Sequence, residues 1–384
     1  MKSQRVEFLK QSDIRRMTRE CTRLGGINLG QGICDLPSPP VILEEASKAI
    51  LADKSVYSKF EGIDALREAL ADKLSDYNGL TQVNPDTDIV VTAGATGAFI
   101  ATVQGLLNPG DEIIIFEPSY GYHINAMRVA GVGASTITLQ GPDWKFSAED
   151  LEGARTENTR AILINTPGNP SGKVFTREEL TMVADFCKKH DLLAITDEIY
   201  EYIVYDGREH LSLASLPGMY ERTVTMSGFS KTFSITGWRL GYAVAPPALS
   251  EAIGLVNDLF YICAPTPLQH GVASGMTRLD PGYYAQKNRE YEQKRDLICN
   301  ALTDAGLTPN IPQGAYYVLA DISSLGHADP RAGAMHLLEK IGVASVPGSA
   351  FFSEPSPVPL TRFCYAQEWP ALEEAARRLR SLKP

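Results

Sequence analysis

Residues 192–200 read Leu-Leu-Ala-Ile-Thr-Asp-Glu-Ile-Tyr. Leu192–Thr196 suits a strand buried on both faces, and the run stops on a carboxylate, Asp197. Upstream, Ala161–Asn165 is a second such run, ending in a Pro/Gly/Asn cluster that carries Asn169. Between the two, Thr176 and Glu179 are spaced as a capping box for a helix running towards His190. Downstream, Val224–Ser227 and Leu240–Ala245 read as further strands. Nearer the start, Ile89–Ala93 is β-like and leads through Gly94-Ala95-Thr96-Gly97 into the apolar-periodic Ala98–Leu107. Asn108-Pro109-Gly110-Asp111 is a turn, and Glu112–Phe116 is another strand. Such alternation predicts an α/β fold with a mostly parallel sheet between helices. After about Gly271 the texture changes. Tyr283–Ala305 reads as one long charged amphipathic helix, shorter strands and helices follow, and Pro355–Pro359 reads as a surface loop. The main boundary is expected near residues 272–285.

The bulk numbers narrow the function. A length of 384 residues suits a large domain with a smaller one. Hydrophobic residues at 44% and charged residues at 21% describe an ordinary globular protein. A formal net charge of −10 argues against nucleic acid as a partner, because phosphate backbones want a basic surface. The six cysteines form no CxxC pair and the six histidines show no metal-ligand spacing. Reduced thiols in a cytoplasmic protein, no metal, and non-catalytic histidines are therefore expected. No apolar run has the length of a membrane span, and the charged N-terminal stretch does not read as a signal peptide.

Ligands of open α/β sheets sit beyond the carboxyl ends of the strands. The chemically informative residues fall at those ends: Gly94–Gly97, Tyr120, Asn169, Asp197 and Lys231. Together they answer the needs of one cofactor, pyridoxal 5′-phosphate. Its aldehyde needs a lysine, its pyridine nitrogen a buried carboxylate, and its phenolate oxygen Tyr or Asn donors. Its ring wants an aromatic platform, and its phosphate wants helix N-terminal amides with an arginine.

The segment SGFSKTFSITGWRLGY, residues 227–242, resembles the lysine segment of class I/II (fold type I) aminotransferases. NTPGNPSG and TDEIYEYIVYDG resemble the asparagine loop and the aspartate–tyrosine segment of that family. The order and gaps, from INLGQG to TRFCYA, agree along nearly the whole chain. NLGQG and LPGMYERTVT resemble the kynurenine/glutamine/methionine branch. The resemblance implies a fold type I architecture with a seven-stranded, mostly parallel sheet. Residues 40–275 would form the large cofactor-binding domain, with 1–39 and 276–384 forming a small α+β domain. It further implies a homodimer with shared active sites, and an aminotransferase that moves the α-amino group of an L-amino acid to a 2-oxo acid by a ping-pong mechanism. Aromatic amino acids, methionine, glutamine or aspartate are the substrates in view.

Residue by residue, the resemblance implies that Lys231 holds the cofactor as a Schiff base and shuttles the proton. Asp197 pairs with the pyridinium nitrogen. Tyr200 and Asn169 hydrogen-bond the phenolate oxygen, and Tyr120 stacks on the ring. The phosphate falls to Gly94, Ala95, Thr96, Ser230 and Arg239, with Tyr57 of the neighbouring subunit. Arg362 takes the substrate α-carboxylate, which Gly32 lets approach the backbone. Cationic groups around Lys231 are expected to lower its pKa.

Three departures stand out. Gly32-Ile33-Cys34-Asp35-Leu36 lacks the family's proline and aromatic residue at positions 34 and 36, which reads as a packing change or an altered selectivity. Gly228 stands where a phosphate-assisting serine is common, so that contact is either missing or supplied by Ser227 or Ser230. Thr96 stands where one aspartate-specific branch has a lysine, leaving Arg16, Arg19 or Lys59 as other cations for a distal carboxylate. Tyr57, Phe60 and Tyr261 are candidate entrance aromatics favouring apolar substrates, while Tyr122, Trp144 and Trp238 read as structural. Two other readings remain open here: a β-lyase acting on cysteine conjugates, which the same lysine would serve, and a non-catalytic cofactor-sensing domain, which the acidic chain disfavours.

Overall fold

The computed structural model describes the chain apart from residues 1, 2, 10, 35, 281, 355, 357, 383 and 384 and the side chain of residue 4. Asp35 of the departing loop, and two prolines of the expected 355–359 loop, lie outside the described residues. The chain opens with α1 (Asp13–Leu24), β1 (Ile27–Asn28), α2 (Pro40–Leu51) and α3 (Asp64–Asp76). Then follow β2 (Ile89–Thr92), α4 (Gly94–Leu106), β3 (Glu112–Glu117), α5 (Gly121–Ala130), β4 (Gly133–Thr138), α6 (Ala148–Ala154), β5 (Thr159–Asn165) and α7 (Arg177–His190). β6 (Leu193–Asp197), β7 (Thr223–Gly228), the short α8 (Phe229–Thr232), β8 (Gly241–Val244), α9 (Pro247–Tyr261), α10 (Thr266–Arg278) and α11 (Gly282–Asp304) come next. The rest is β9 (Thr308–Asn310), β10 (Tyr317–Asp321), α12 (Pro330–Ile341), β11 (Val343–Ala344), β12 (Val346–Pro347), β13 (Leu360–Cys364) and α13 (Trp369–Arg380).

Seven strands form the central sheet in the order β2-β8-β7-β6-β5-β3-β4. Neighbours from β4 to β7 run parallel, whereas β8 is antiparallel to both β7 and β2. The seventh strand, β4, has no apolar run to announce it. It is an edge strand of Gly, Ala, Ser and Thr, in which Ile137 is the one fully buried residue.

The capping box forms as its spacing predicts. Glu179 N–H donates to Thr176 Oγ1 at 3.2 Å, and Thr176 N–H donates back to the Glu179 carboxylate at 2.9 Å. Beyond it, Leu180, Val183, Ala184 and Cys187 form the buried stripe of α7. Replacing Thr176 with Ala would cost about 1 kcal/mol. α4 starts one turn earlier than the apolar pattern indicates. Gly94 adopts φ +74°, and a Cβ at Gly241 would lie 2.5 Å from the Ala95 nitrogen, so two glycines let the helix start press onto β8.

The N-terminal segment joins the C-terminal part. β1 pairs in parallel with β11, and Cys364 N–H donates to Leu29 O at 2.6 Å. Met17 and Cys21 of α1 pack on Ala334, Leu338 and Ala344. β12, β13, β10 and β9 make a separate antiparallel sheet. All six cysteines are free, and no helix among the described residues is long and apolar enough to cross a membrane.

Candidate active site

A cavity of about 310 Å³ opens at the carboxyl ends of the parallel strands. β6 ends on Asp197, β7 runs into α8 with Lys231, and β5 ends on Asn165 just before Asn169. Tyr120 follows β3, and Ala95 and Thr96 begin α4 after β2. All of these residues line the cavity, as do Ser230, Tyr200, Arg239, Gly32 and Arg362.

Asp197 is 7% exposed and is held from two sides. Ile199 N–H donates to its Oδ1 at 3.3 Å, and His123 Nε2 lies 3.1 Å from its Oδ2. His123 is fixed in turn by the rings of Phe99 and Tyr120, at centroid distances of 4.6 and 5.4 Å. The histidines therefore include one at the site, a correction to the expectation from spacing. His123 follows Tyr120 by three residues, one helical turn into α5, which is the signal that would have revealed it.

Lys231 has its pKa pushed below that of an ordinary lysine. Burial is the main cause, and Arg239 and Arg362 add to it, so the cationic neighbours are secondary to desolvation. Lys287 Nζ donates to the backbone carbonyls of Lys231 and Thr232, at 2.6 and 2.7 Å. The long α11 thereby fixes the backbone that carries the reactive amine.

Arg362 is 1% exposed and lies over the Tyr317 ring, 4.2 Å from its centroid. Its Nη1 donates to Asn169 Oδ1 at 2.8 Å and its Nη2 to Gly30 O at 2.7 Å, while its buried Nε has no partner among the described residues. A guanidinium only donates, so the Asn169 oxygen is committed to it and the Asn169 amide nitrogen is left to donate elsewhere. The Tyr200 and Tyr317 hydroxyls are 3.2 Å apart. Burial raises the pKa of both, Tyr317 to about 12 and Tyr200 well above the ordinary value, so each keeps its proton at neutral pH. Gly32 abuts the Tyr317 hydroxyl so closely that any Cβ would collide with it.

The helix start has open donors, because Ala93 provides no side-chain cap for α4. The Arg239 guanidinium lies beside it, 2.5 Å from where a Cβ of Gly94 would stand, and donates to Thr236 O at 2.9 Å. Amides, helix dipole and guanidinium converge as a phosphate requires. The uncapped helix start with Arg239, the spare Asn169 donor, the buried Asp197 carboxylate and the desolvated Lys231, all on one cavity, fit the functional groups of pyridoxal phosphate.

The family model for aminotransferase class I and II matches residues 25–379. The chain belongs to this family. It is 38% identical over 369 residues to kynurenine–oxoglutarate transaminase 3 of Mus musculus, covering 91% of this chain and 80% of that protein. Its fold superposes on a methionine aminotransferase of Escherichia coli with a TM-score of 0.95 at 33% identity, covering 100% of both chains. It superposes equally, TM-score 0.95 at 34% identity and 100% coverage of both, on N-succinyldiaminopimelate aminotransferase from Mycobacterium tuberculosis. The chain is an aminotransferase of fold type I, a family that works with pyridoxal phosphate.

Several expectations for this aminotransferase need correction. Phe60 and Tyr261 do not line the cavity; Tyr57, 76% exposed, is also off the lining of its own chain, which does not bear on its expected reach to a neighbouring subunit. The aromatic lining comes from Phe99, Tyr120, Tyr122, Tyr200 and Tyr317, so Tyr122, expected to be structural, faces the cavity. Trp144 is a core residue, as expected. Ser227 turns away, donating to Glu201 Oε1 at 2.9 Å, and Ser230 faces the cavity. A Cβ at Gly228 would lie 3.0 Å from both Gly241 Cα and Leu240 O, so a serine there would crowd β8. Cys34 is buried with its Sγ 3.6 Å from Tyr316 Oη and outside the cavity lining, which makes it a packing residue. Arg16 pairs with Asp13, Arg19 with Gln11 and Lys59 with Asp64, and none of the three lines the cavity. Arg15 and Ile14 do line it.

Proposed function

We propose that this transaminase exchanges the α-amino group of apolar or aromatic L-amino acids, methionine among them, with 2-oxo acids at the Lys231 cavity. The cofactor, when bound, supplies the electron sink for the bond broken at the substrate Cα. Lys231 contributes an amine that desolvation keeps ready to be neutral, first as the anchor for the cofactor and then as the base that moves the proton. Asp197, steadied by His123 and the Ile199 N–H, supplies the buried negative charge opposite the pyridine nitrogen. Tyr200 and the Asn169 amide donate to the ring oxygen, and Tyr120 provides the stacking face. Gly94, Ala95, Thr96, Ser230 and Arg239 hold the phosphate. Arg362, with its free Nε, takes the substrate carboxylate beside Gly32.

The observation that carries this reading is the meeting of Lys231, Asp197, Arg239 and Arg362 in one cavity. Ile14, Phe99 and Ile199 on its lining support an apolar side chain, and the relatives' names support kynurenine, methionine and 2-oxoglutarate as chemically related substrates. The test is a half-reaction. Holoenzyme mixed with methionine or phenylalanine, without acceptor, should release one equivalent of oxo acid per site and no ammonia. Ammonia with pyruvate from a cysteine conjugate, in place of transamination, would overturn it.

We also propose a division into residues 40–275 and residues 1–39 with 276–384, supported by the β1–β11 pairing. A homodimer is supported by exposed apolar side chains at the end of α2 and of α9, with Leu51 86% and Leu259 80% exposed. In that dimer Tyr57 would reach the partner's phosphate site. Sedimentation should give twice the chain mass, and Leu259→Glu should lower it. Six free cysteines support a cytoplasmic location.

A further inference from the structure

Among the described residues the cavity is lined by three guanidiniums, Arg15, Arg239 and Arg362, and the Lys231 amine, against one carboxylate, Asp197, in a chain of net charge −10. Three of these four basic groups have work in the reading above: Lys231 as the amine, Arg239 at the phosphate and Arg362 at the substrate carboxylate. Arg15 is left over. We propose that Arg15 binds the distal carboxylate of a dicarboxylic substrate, and so determines whether the site accepts an acidic 2-oxo acid. This rests on the roles proposed for Lys231 and Arg362.

The helix phase of α1 places Arg15 where such a group can be met. Met17 and Cys21 form the stripe that packs on α12 and β11. At about 100° per residue, position 15 lies some 200° round from position 17, on the far side of the helix. α1 is fixed in that rotation by the Arg331–Asp13 ion pair at 3.2 Å and by Asn28 Nδ2 donating to Thr18 Oγ1 at 3.1 Å. The neighbouring cations are already engaged: Arg16 with Asp13 at 3.5 Å and Arg19 with Gln11 at 3.1 Å. The Arg15 guanidinium has no ion pair or side-chain hydrogen bond among the described residues; its backbone N–H alone is used, by the Ser12 cap. It is exposed, so it stands at the rim, whereas Arg362 on the same lining is buried. Two guanidiniums then bracket one elongated substrate, the inner one taking the carboxylate next to the reacting carbon. Ile14, beside Arg15 and packed against the core, offers an apolar surface at the same rim. An apolar side chain would settle on Ile14 while the arginine stays in water.

The test compares 2-oxoglutarate with 2-oxopentanoate, which has the same chain length and no distal carboxylate. Arg15→Gln should raise KM for 2-oxoglutarate about tenfold, equal to about 1.4 kcal/mol, with kcat nearly unchanged. KM for 2-oxopentanoate should move less than twofold. Arg15→Lys should recover part of the loss, and Arg16→Gln should behave as the parent. Calorimetry adds a readout without turnover: glutarate should bind the parent more tightly than pentanoate, and Arg15→Gln should erase that difference. Equal changes for both acceptors, no change for either, or a parent that ignores 2-oxoglutarate and glutarate would overturn the proposal. Failure of the Lys231 reading would look different, as an amino-acid half-reaction absent from parent and variants alike while glutarate binding still depended on Arg15.

Discussion

The two ends of the cavity are built differently. The floor consists of residues at strand ends whose backbones are locked: Asp197 closes a strand paired on both sides, and Asn169 is tied through its N–H to Asn165 Oδ1 at 2.7 Å. Lys231 sits on a short helix whose carbonyls are held by Lys287. The rim consists of Ser12, Ile14, Arg15 and Gln31, carried by a helix from the chain's beginning and a loop without regular structure. A floor of that kind fixes reacting atoms, which every substrate shares. A rim of the other kind meets the part of the substrate that varies.

The strongest way to break this contrast is at Lys231. Lys231→Ala should lower the half-reaction rate by about 10⁴-fold for every amino acid alike, measured by stopped-flow absorbance. Next comes Asp197→Asn, with an expected loss on the order of 10²–10³-fold in kcat, again without regard to substrate. Arg362→Lys keeps the charge but loses the fork. It should cost about 10²-fold in kcat/KM across all amino acids, read as a rise in KM. At the rim, Ile14→Ala should cost about tenfold for apolar donors and leave aspartate or glutamate nearly untouched.

The smallest effect is on stability. Between the lowered pKa of Lys231 and the ordinary 10.5, the unfolded chain binds a proton that the folded chain does not. Stability of the cofactor-free chain should therefore rise with pH across that window. Lys231→Met should flatten the rise in urea titrations at a series of pH values.

The same contrast explains what was legible in the sequence. Asp197 announces itself because it closes an apolar run, and Asn169 and Lys231 because each lies within four residues of a strand's end, where a polar group has few other uses. β4 was silent because an edge strand of small residues carries no apolar run. His123 is marked only by its place one turn after Tyr120, because its partner, Asp197, lies far along the chain. Tyr317 and Arg15 come from two separate segments, and nothing local marks either as facing the cavity. Arg15, Arg16 and Arg19 look alike as letters: the rotation of α1, set by Met17 and Cys21, separates Arg15 from Arg16, while Arg19, one turn further along the same face, is held by Gln11 and lies off the cavity lining. Cys34 read as a packing change or an altered selectivity, and the thiol, turned towards Tyr316 and off the cavity lining, favours packing.

The most direct test is the ratio of kcat/KM for 2-oxoglutarate to that for phenylpyruvate, measured in one floor variant and one rim variant. In Asp197→Asn both values should fall together and the ratio should stay within about twofold of the parent. In Arg15→Gln the ratio should fall about tenfold while the phenylpyruvate value holds. A ratio that moves with Asp197 and stays fixed with Arg15 would contradict the division of labour between floor and rim.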